Sequence, residues 1–544
     1  MPSGIASHLQ RIIELQRQQG AAPSADIIIE TKDDAGPAVA RLRISATLPG
    51  VDFDLEPVFP SSSGELARFF TLRILRTGFD ALGGNPFDLG YDLQDAIDLA
   101  SVEPVFDYGI GAAFEQPVVD VPSTGAAPED GEWHLKKVAA EQAWAYSESQ
   151  GRPFAGAGII IGQPDTGIAE HVLLRDAIDR QYWKNFLEPG KPPIDPLDGP
   201  AAADDASEAA PDSDSSSRNR GHGTAVAGVA ASRGHGAAKR IRGAASRALV
   251  APLRCVDGVV IGPWNSATVA QAVRHAGDAA CAVVSMSLGG AYAPDALSAA
   301  IRYTAGKGRI LVAAAGNQVG WVTYPGWDEH CFCVAGTTVE DRPWPSSCNG
   351  PAVAASAPAA EIWVAWRDSV REPINRIGLG SGTSYSTAIT AGMAALWLAH
   401  HGWDNLVRRY GAGRLHGAFK FLARQTARRL SDWPSGWGAG IIDCNAMLRA
   451  GLPATAELEP EPAQAEAGRR QIREALRRHG ADEPAIAALD DALLDRYGKE
   501  IMVHLWQMSL ASAGVTRLKL SDHLATALAR AGVGRAAGLL GAAG

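Results

Sequence analysis

The sequence predicts an α/β fold in which a parallel sheet is flanked by helices, with a small α+β N-terminal domain before it and a helical C-terminal tail after it. Three observations support this prediction. Apolar runs alternate with alanine-rich helical segments in residues 132–452, residues 23–110 mix strand-like and helix-like runs, and residues 469–544 are rich in alanine and leucine at helical spacing. Apolar runs that are nearly continuous indicate strands buried on both faces, as in a parallel sheet covered by helices.

The N-terminal part divides into two segments. Residues 1–22 carry apolar residues on one side of a predicted helix. In residues 23–110, strand-like runs occupy 25–30, 39–45 and 66–74, followed by a helix-like run at 92–100 and a closing strand at 101–108. Strands mixed with a helix predict a small α+β domain.

The central part, residues 132–452, carries the strands of the predicted parallel sheet. Its strand-like runs read GIIIGQP, ALVAPLRCV, CAVVSMSL, RILVAAAG and CFCVAG. Residues 188–219 are acidic and rich in proline, which predicts a surface loop. Linkers at 111–131 and 453–468 separate this part from its neighbours. The C-terminal region, 469–544, is predicted to be helical, with Met502 and Trp506 in its core.

Composition excludes several classes of protein. Of the 544 residues, 46% are hydrophobic and 20% are charged, which predicts a folded chain. The formal net charge of -10 argues against a nucleic-acid partner, which would need a basic face. Six cysteines are too few for a disulfide framework in a chain of this length, so we expect buried free thiols. The N-terminus lacks the apolar core of a signal peptide, and no run approaches the roughly 20 apolar residues of a membrane span. We therefore expect a cytoplasmic protein with no membrane partner.

Three short motifs indicate nucleophilic catalysis. Asp165 lies in PDTG directly after an apolar strand, His222 lies in GHGT before a helix of small residues, and Ser384 lies in GTSYSTA before a long apolar helix. A serine hydroxyl needs a base to take its proton, and histidine has a pKa near neutral pH. A carboxylate then fixes the imidazole tautomer and stabilises the cation that forms. The second GHG, around His235, lacks the following threonine and runs into a basic segment, so we expect a surface loop there.

The chain order of aspartate, histidine and serine separates this pattern from other serine hydrolases. In α/β-hydrolases the serine comes first, inside a GxSxG turn, and no such turn surrounds Ser384. The three motifs in this order resemble the subtilase family of serine proteases, over roughly residues 132–450. The resemblance implies a subtilisin-like sheet of about seven parallel strands. It also implies a serine endopeptidase that hydrolyses protein or peptide substrates through an acyl-enzyme.

The resemblance also implies further site residues. Asn317, at the end of AAAGN, would bind the oxyanion together with the backbone N–H of Ser384. In SMSLGG, the substrate-binding residues would be Ser287, Leu288, Gly289 and Gly290, whose strand edge would pair with the substrate backbone. Ala314, Ala315 and Gly316 would shape the first specificity pocket, and their small size suggests room for a medium or large apolar side chain.

Several alternatives stay open at this point. The N-terminal domain is expected to be an inhibitory prodomain that lays residues 110–131 through the active site, where Ser384 would cut them, or else a permanent accessory domain. No cofactor or metal is expected; calcium stays an alternative that no ligand motif supports, because the basic segment after the GHGT helix lacks oxygen ligands. An inactive scaffold used for binding is a rival function. A dedicated intracellular processing or regulatory role is favoured over bulk digestion.

Overall fold

The computed structural model describes residues 3–18, 25–34, 36–75, 85–106, 128–194, 219–367, 369, 371–458, 464–510 and 518–533. The predicted linker at 111–131 and the predicted acidic loop at 188–219 therefore lie mostly outside the described residues. None of the helices in the described ranges has the length and apolar character needed to cross a bilayer.

The N-terminal part contains three α-helices and a four-stranded antiparallel sheet. Its elements are α1 (Ser3–Gln18), β1 (Ala25–Glu30), α2 (Pro37–Thr47), β2 (Asp54–Pro57), β3 (Phe69–Leu75), α3 (Pro86–Ile97) and β4 (Ser101–Val105). The strand order is β2-β3-β1-β4. Ile27 and Ile29 pack in the core under the helices, whereas Ile28 faces the rest of the chain, because successive side chains of a strand alternate between its faces.

The run at 39–45 is helical, and the prediction of a strand there was wrong. It lies within α2, which begins at Pro37, a residue whose fixed φ suits the first helical turn. Ala40 and Ile44 are buried four residues apart, while Leu42 is 70% exposed. The buried residues thus follow the period of a helix, and the alternation that suggested a strand does not correspond to burial.

The central part is a seven-stranded parallel sheet between helices, as predicted. Its first elements are α4 (Trp133–Lys137), α5 (Ala140–Ser149), β5 (Ile160–Asp165), β6 (Lys184–Asn185), α6 (His222–Ala231), β7 (Leu249–Arg254), β8 (Val260–Ile261), α7 (Ser266–Asp278), β9 (Cys281–Met286) and β10 (Gly289–Gly290). They are followed by α8 (Asp295–Gly306), β11 (Ile310–Ala314), β12 (Cys331–Thr337), β13 (Ala355–Pro358), β14 (Ile362–Ala365), β15 (Ile377–Gly380), α9 (Thr383–His401), α10 (Trp403–Tyr410), α11 (Ala412–Gln425) and α12 (Cys444–Arg449). The strand order is β13-β12-β11-β9-β5-β7-β6.

Both faces of this sheet are buried. Val283 and Val284, adjacent in β9, belong to two different apolar cores. Cys331 and Cys333 of β12 face one core, and Phe332 between them faces the other. All six cysteines are buried free thiols, which confirms the prediction. Helix α9 packs against β9, β11, β12 and β13 and is buried on nearly all sides. Its apolar residues are therefore spread around the helix and do not form a stripe along one face.

The C-terminal part is helical, as predicted. It contains α13 (Gln464–Arg478), α14 (Glu483–Ala487), α15 (Asp491–Ser509) and α16 (Asp522–Arg530). Met502 and Trp506 are buried in the core that also contains β9 residues and Ile28 of the N-terminal sheet. The N-terminal, central and C-terminal parts therefore share one apolar core.

Candidate active site

Asp165 is the last residue of β5, in the interior of the central sheet between β7 and β9. Its Oδ1 accepts a hydrogen bond from His222 Nδ1 at 2.7 Å and one from the backbone N–H of Thr166 at 2.8 Å. Both side chains of the Asp165–His222 pair are buried. Because a carboxylate accepts this bond, Nδ1 carries the proton and Nε2 is the basic nitrogen of the neutral ring.

Two side chains of the β5 end, Thr166 and Gln163, hydrogen-bond to the backbone of Gly223 and tie the PDTG motif to the GHGT motif. The N–H of Gly223 donates to Thr166 Oγ1 at 3.2 Å, and Gln163 Nε2 donates to the carbonyl oxygen of Gly223 at 2.8 Å. A Cβ on Gly223 would lie 2.1 Å from the carbonyl oxygen of Gly167. Only glycine permits this approach. The packing of α6 against the end of β5 therefore requires a glycine directly after His222.

Ser384 is the second residue of α9 and is buried. Its backbone N–H belongs to the first turn, where N–H groups have no partner within the helix and the helix dipole is positive. The carbonyl oxygen of Ser384 accepts a hydrogen bond from Ser287 Oγ at 3.0 Å, which joins α9 to the end of β9. Helix α6 also packs against α9. The structure thus places Ser384 on an element that adjoins the one bearing His222.

Asn317 lies beside the start of α9 and is oriented by Thr383. Asn317 Oδ1 accepts hydrogen bonds from Thr383 N at 3.1 Å and from Thr383 Oγ1 at 2.9 Å. These bonds direct the amide Nδ2 away from Thr383. A Cβ on Gly382 would lie 3.7 Å from Asn317 Nδ2 and 3.8 Å from Ser384 N, so the two N–H donors border the same small space. The sequence analysis missed Thr383, although it directly precedes the serine.

Most of the predicted substrate-binding residues meet in one small cavity of about 30 Å³. The cavity is lined by Val259, Val260, Ser287, Leu288, Gly289, Ala314, Gly316, Asn317, Thr323, Thr383, Ser384 and Trp506. Two predicted residues, Gly290 and Ala315, are not part of the lining. Besides Thr383, four others were not anticipated: the two valines of DGVVIG, Thr323, and Trp506 from the C-terminal helix α15. No local motif marks Trp506, because only the tertiary fold brings it here.

The strand edge expected to pair with substrate is already hydrogen-bonded. Strand β10 pairs in parallel with β8, and the N–H of Gly289 donates to the carbonyl oxygen of Val259 at 3.0 Å. On its other side, Gly290 exchanges hydrogen bonds of 2.8 and 3.0 Å with Tyr324. Both edges of β10 are thus hydrogen-bonded to other segments of the same chain in this structure.

His235 is exposed in the loop after α6, and the structure pairs Asp165 with His222 instead. Within the described ranges, no group of three or more histidine, cysteine, aspartate or glutamate side chains is arranged to hold a metal ion.

Several known proteins resemble this chain in sequence or in fold. The profile of the subtilase family matches residues 156–432. Thermitase from Thermoactinomyces vulgaris is 30% identical over 234 residues, which cover 43% of this chain and 76% of thermitase. A thermophilic serine proteinase from Bacillus sp. (strain AK1) is 33% identical over 186 residues, which cover 34% of this chain and 44% of that protein.

The solved structure of fervidolysin from Fervidobacterium pennivorans, a keratinolytic enzyme related to subtilisin, has the same fold. It matches with a TM-score of 0.54 and 17% identity, over 80% of this chain and 62% of that chain. The likeness at this identity concerns the fold alone. Since the family profile matches half of the chain and the alignment spans three quarters of thermitase, the chain belongs to the subtilase family and is a serine endopeptidase.

Proposed function

We propose that Asp165, His222 and Ser384 are the catalytic triad of this endopeptidase and that Asn317 Nδ2 and Ser384 N bind the oxyanion. The observation that carries the proposal is the 2.7 Å hydrogen bond between His222 Nδ1 and Asp165 Oδ1, on elements that adjoin the helix bearing Ser384. This bond leaves Nε2 as the proton acceptor, which is the role that a general base for the serine requires.

Hydrolysis would proceed in two halves. In the first, Ser384 Oγ attacks the scissile carbonyl carbon while His222 Nε2 takes the hydroxyl proton. The imidazolium gives this proton to the leaving amine as the C–N bond breaks, and an acyl-enzyme ester results. In the second, water loses a proton to Nε2 and attacks the ester. The carboxyl product then leaves as Ser384 regains its proton. Asp165 stabilises the imidazolium in both halves.

The oxyanion of each tetrahedral intermediate would lie in the space beside Gly382. Asn317 Nδ2 and Ser384 N border this space, and the first turn of α9 adds the positive end of a helix dipole. These donors are held in place before the reaction, so little reorganisation is needed when charge develops. Thr383 would act as a positioning residue, since it touches Asn317 and not the reacting atoms.

Labelling with a fluorophosphonate probe tests this assignment. The probe should modify Ser384 in the wild type and should fail to modify Ser384→Ala. The matched control is Ser386→Ala, because Ser386 is buried in the same helix and donates its hydroxyl to the carbonyl oxygen of Ala357 at 2.9 Å. Asp165→Asn should lower kcat by about 10⁴ through the wrong tautomer, by analogy with another serine protease. Labelling of a different residue would contradict the assignment, and an unlabelled wild type would favour the binding scaffold.

We further propose that the N-terminal domain is an inhibitory prodomain. Its support is a contact with the two helices α7 and α8. Gln271 Nε2 donates to the carbonyl oxygen of Val58 at 2.7 Å, and Glu65 forms an ion pair with Arg302. Residues 107–127, which would include the segment to be cut, lie outside the described residues.

Intact-mass measurement shows whether the N-terminal domain is a prodomain or a permanent accessory domain. A prodomain should be removed or nicked in the wild type and intact in Ser384→Ala. An accessory domain should give the same full mass for both proteins.

We also propose that the protein has a dedicated processing or regulatory role in the cytoplasm. It is supported by the C-terminal helices, which lie beyond the segment that matches the family profile. Mapping new protein N-termini in a cell extract after adding wild type or Ser384→Ala tests it. A few defined cleavages would support the proposal, and broad degradation would contradict it.

A further inference from the structure

The cleft into which a substrate strand would insert is closed in this structure. Addition of a peptide strand needs a free row of backbone N–H and C=O groups. Here β10, the strand expected to pair with substrate, is hydrogen-bonded to β8 through Gly289 and Val259, and its Gly290 is bonded to Tyr324. These two strands must therefore separate before a peptide can lie between them.

The pocket beside Ser384 is also nearly filled. Its volume of about 30 Å³ is far below the roughly 300–1,000 Å³ of ordinary ligand pockets. Thr323 occupies the space between the two glycines of the pocket, since its side-chain atoms lie 2.7 Å from a Cβ placed on Gly289 and 2.5 Å from one placed on Gly316. The room expected from the small residues of this pocket is thus taken up by other parts of the chain.

Trp506 supplies a wall of this pocket from outside the segment that matches the family profile. It lies in α15, is 1% exposed, and packs edge-on against Trp321 with ring centroids 6.2 Å apart. The same cavity contains Val259 and Gly289. The indole therefore lies where β8 and β10 meet, and it packs against the closed arrangement of the cleft.

Helices α13 and α15 also hold the chain segment that leads to Tyr324. Gln471 Nε2 donates to the carbonyl oxygen of Val322 at 2.8 Å, and Ser509 Oγ donates to that of Val319 at 3.3 Å. Tyr324 follows this segment and pairs with β10. The C-terminal helices thus contact both the pocket wall and the segment that occupies the second edge of β10.

We propose that α13 and α15 form an autoinhibitory element, which holds the substrate cleft closed through Trp506 and the 319–322 segment. Productive peptide binding requires α15 to move away from the junction of β8 and β10. This inference rests on the proposed function, because closure of the cleft affects catalysis only if Ser384 is the nucleophile.

The N-terminal domain stabilises the same position of α15 from the other side. Tyr91 OH donates to Glu500 Oε2 at 3.1 Å, and Lys499 Nζ lies 2.6 Å from Glu103 Oε1. Glu500 is fully buried and also accepts hydrogen bonds from Ser521. Release of the N-terminal domain would remove these contacts and would favour the open cleft.

Two substrates of different size test the closure in the full chain. p-Nitrophenyl acetate needs the triad and the oxyanion donors but is too small to need strand addition or the pocket. An extended tetrapeptide p-nitroanilide needs all of them. The measured quantity is the ratio of kcat/KM for the peptide to kcat/KM for the ester. Trp506→Ala should raise this ratio roughly tenfold or more, because a larger fraction of molecules becomes competent to bind peptide.

A second variant and a matched control complete the design. Gln471→Leu removes the hydrogen bond to Val322 with little change in side-chain volume, and it should raise the same ratio. If Trp506→Ala fails to fold, this variant alone tests whether the C-terminal helices hold the cleft closed. Trp433→Ala removes a buried ring of the central part that does not line the pocket, and it should leave the ratio unchanged.

The outcomes separate this inference from the proposed function. Ester hydrolysis with an unchanged ratio in both Trp506→Ala and Gln471→Leu would overturn the inference alone, as would an equal rise in Trp433→Ala. An absence of ester hydrolysis in every protein would overturn the proposed function and this inference with it.

Discussion

Replacement of Thr383 by valine tests how the oxyanion donor is oriented. The Thr383 hydroxyl donates to Asn317 Oδ1 at 2.9 Å and accepts from the N–H of Gly316 at 3.2 Å. Valine has nearly the same shape but forms neither bond. The backbone N–H of Thr383 still donates to Oδ1 at 3.1 Å, so Asn317 should lose part of its orientation and not all of it.

The expected magnitude follows from these bonds. One neutral hydrogen bond contributes about 1 kcal/mol net, and a buried group left without its partner costs about 1–3 kcal/mol. If about 1–2 kcal/mol of this loss is felt in the transition state, kcat should fall roughly 5- to 30-fold. KM should change little, because the donor acts mainly on the charge that develops during reaction. Asn317→Ala should cost more, roughly 10²–10³ in kcat, the range found when a subtilisin loses this kind of donor.

Steady-state kinetics on a p-nitroanilide peptide measures these effects. Thr383→Ser retains the hydroxyl and should behave like the wild type. In the double variant Thr383→Val with Asn317→Ala, kcat should be no lower than in Asn317→Ala, because Thr383 acts through Asn317. The reasoning is refuted if the two losses multiply, or if Thr383→Val has the kcat of the wild type.

Three further predictions concern packing and pH. Gly223→Ala should abolish activity and lower the free energy of unfolding by about 1–3 kcal/mol or more, because its Cβ would lie 2.1 Å from a carbonyl oxygen. Gly413→Ala, at a helical position with open space around it, is the thermal-unfolding control and should be neutral or stabilising. Burial lowers the pKa of His134 from 6.5 to about 4, so the unfolded chain binds more protons and stability should fall as pH drops from 6.5 to 4, by up to about 3 kcal/mol. In urea unfolding, His134→Leu should lose this part of the pH dependence, and an unchanged pH profile would contradict the assignment. Burial raises the pKa of Glu103 from 4.5 to about 7, so stability should instead fall as pH rises from 4.5 to 7. In the same urea unfolding Glu103→Gln should flatten that slope, and a slope equal to that of the wild type would disprove the role of Glu103.

Local motifs predicted the parts of the site that depend on local geometry. The motifs predicted that Asp165 and His222 lie together, and the two side chains are hydrogen-bonded, because the strand end and the helix start require the glycine and threonine around them. The buried sheet was predicted because its strands are apolar on both faces. By contrast, the run at 39–45 was misread, since seven residues cannot distinguish the two periods when exposed apolar residues such as Leu42 are included.

The missed features depend on contacts between distant parts of the chain. Trp506 lines the pocket although it lies more than 100 residues from Ser384 along the sequence, because the tertiary fold brings α15 to this cavity. The SMSLGG segment was expected to pair with substrate, but β8 and β10 are only two residues long, so no pattern along either one indicates that they pair with each other. Neither arrangement has a spacing or a composition that sequence patterns could reveal.

The shared apolar core has a consequence for how maturation would end. Ile28 of the N-terminal sheet and Met502 of α15 belong to the same buried cluster as the central strands. Scission of the backbone between residues 106 and 128 would therefore yield two fragments that remain associated as a nicked complex. They should co-elute in native gel filtration and separate only in denaturant, so cleavage of the backbone alone would not release the N-terminal domain.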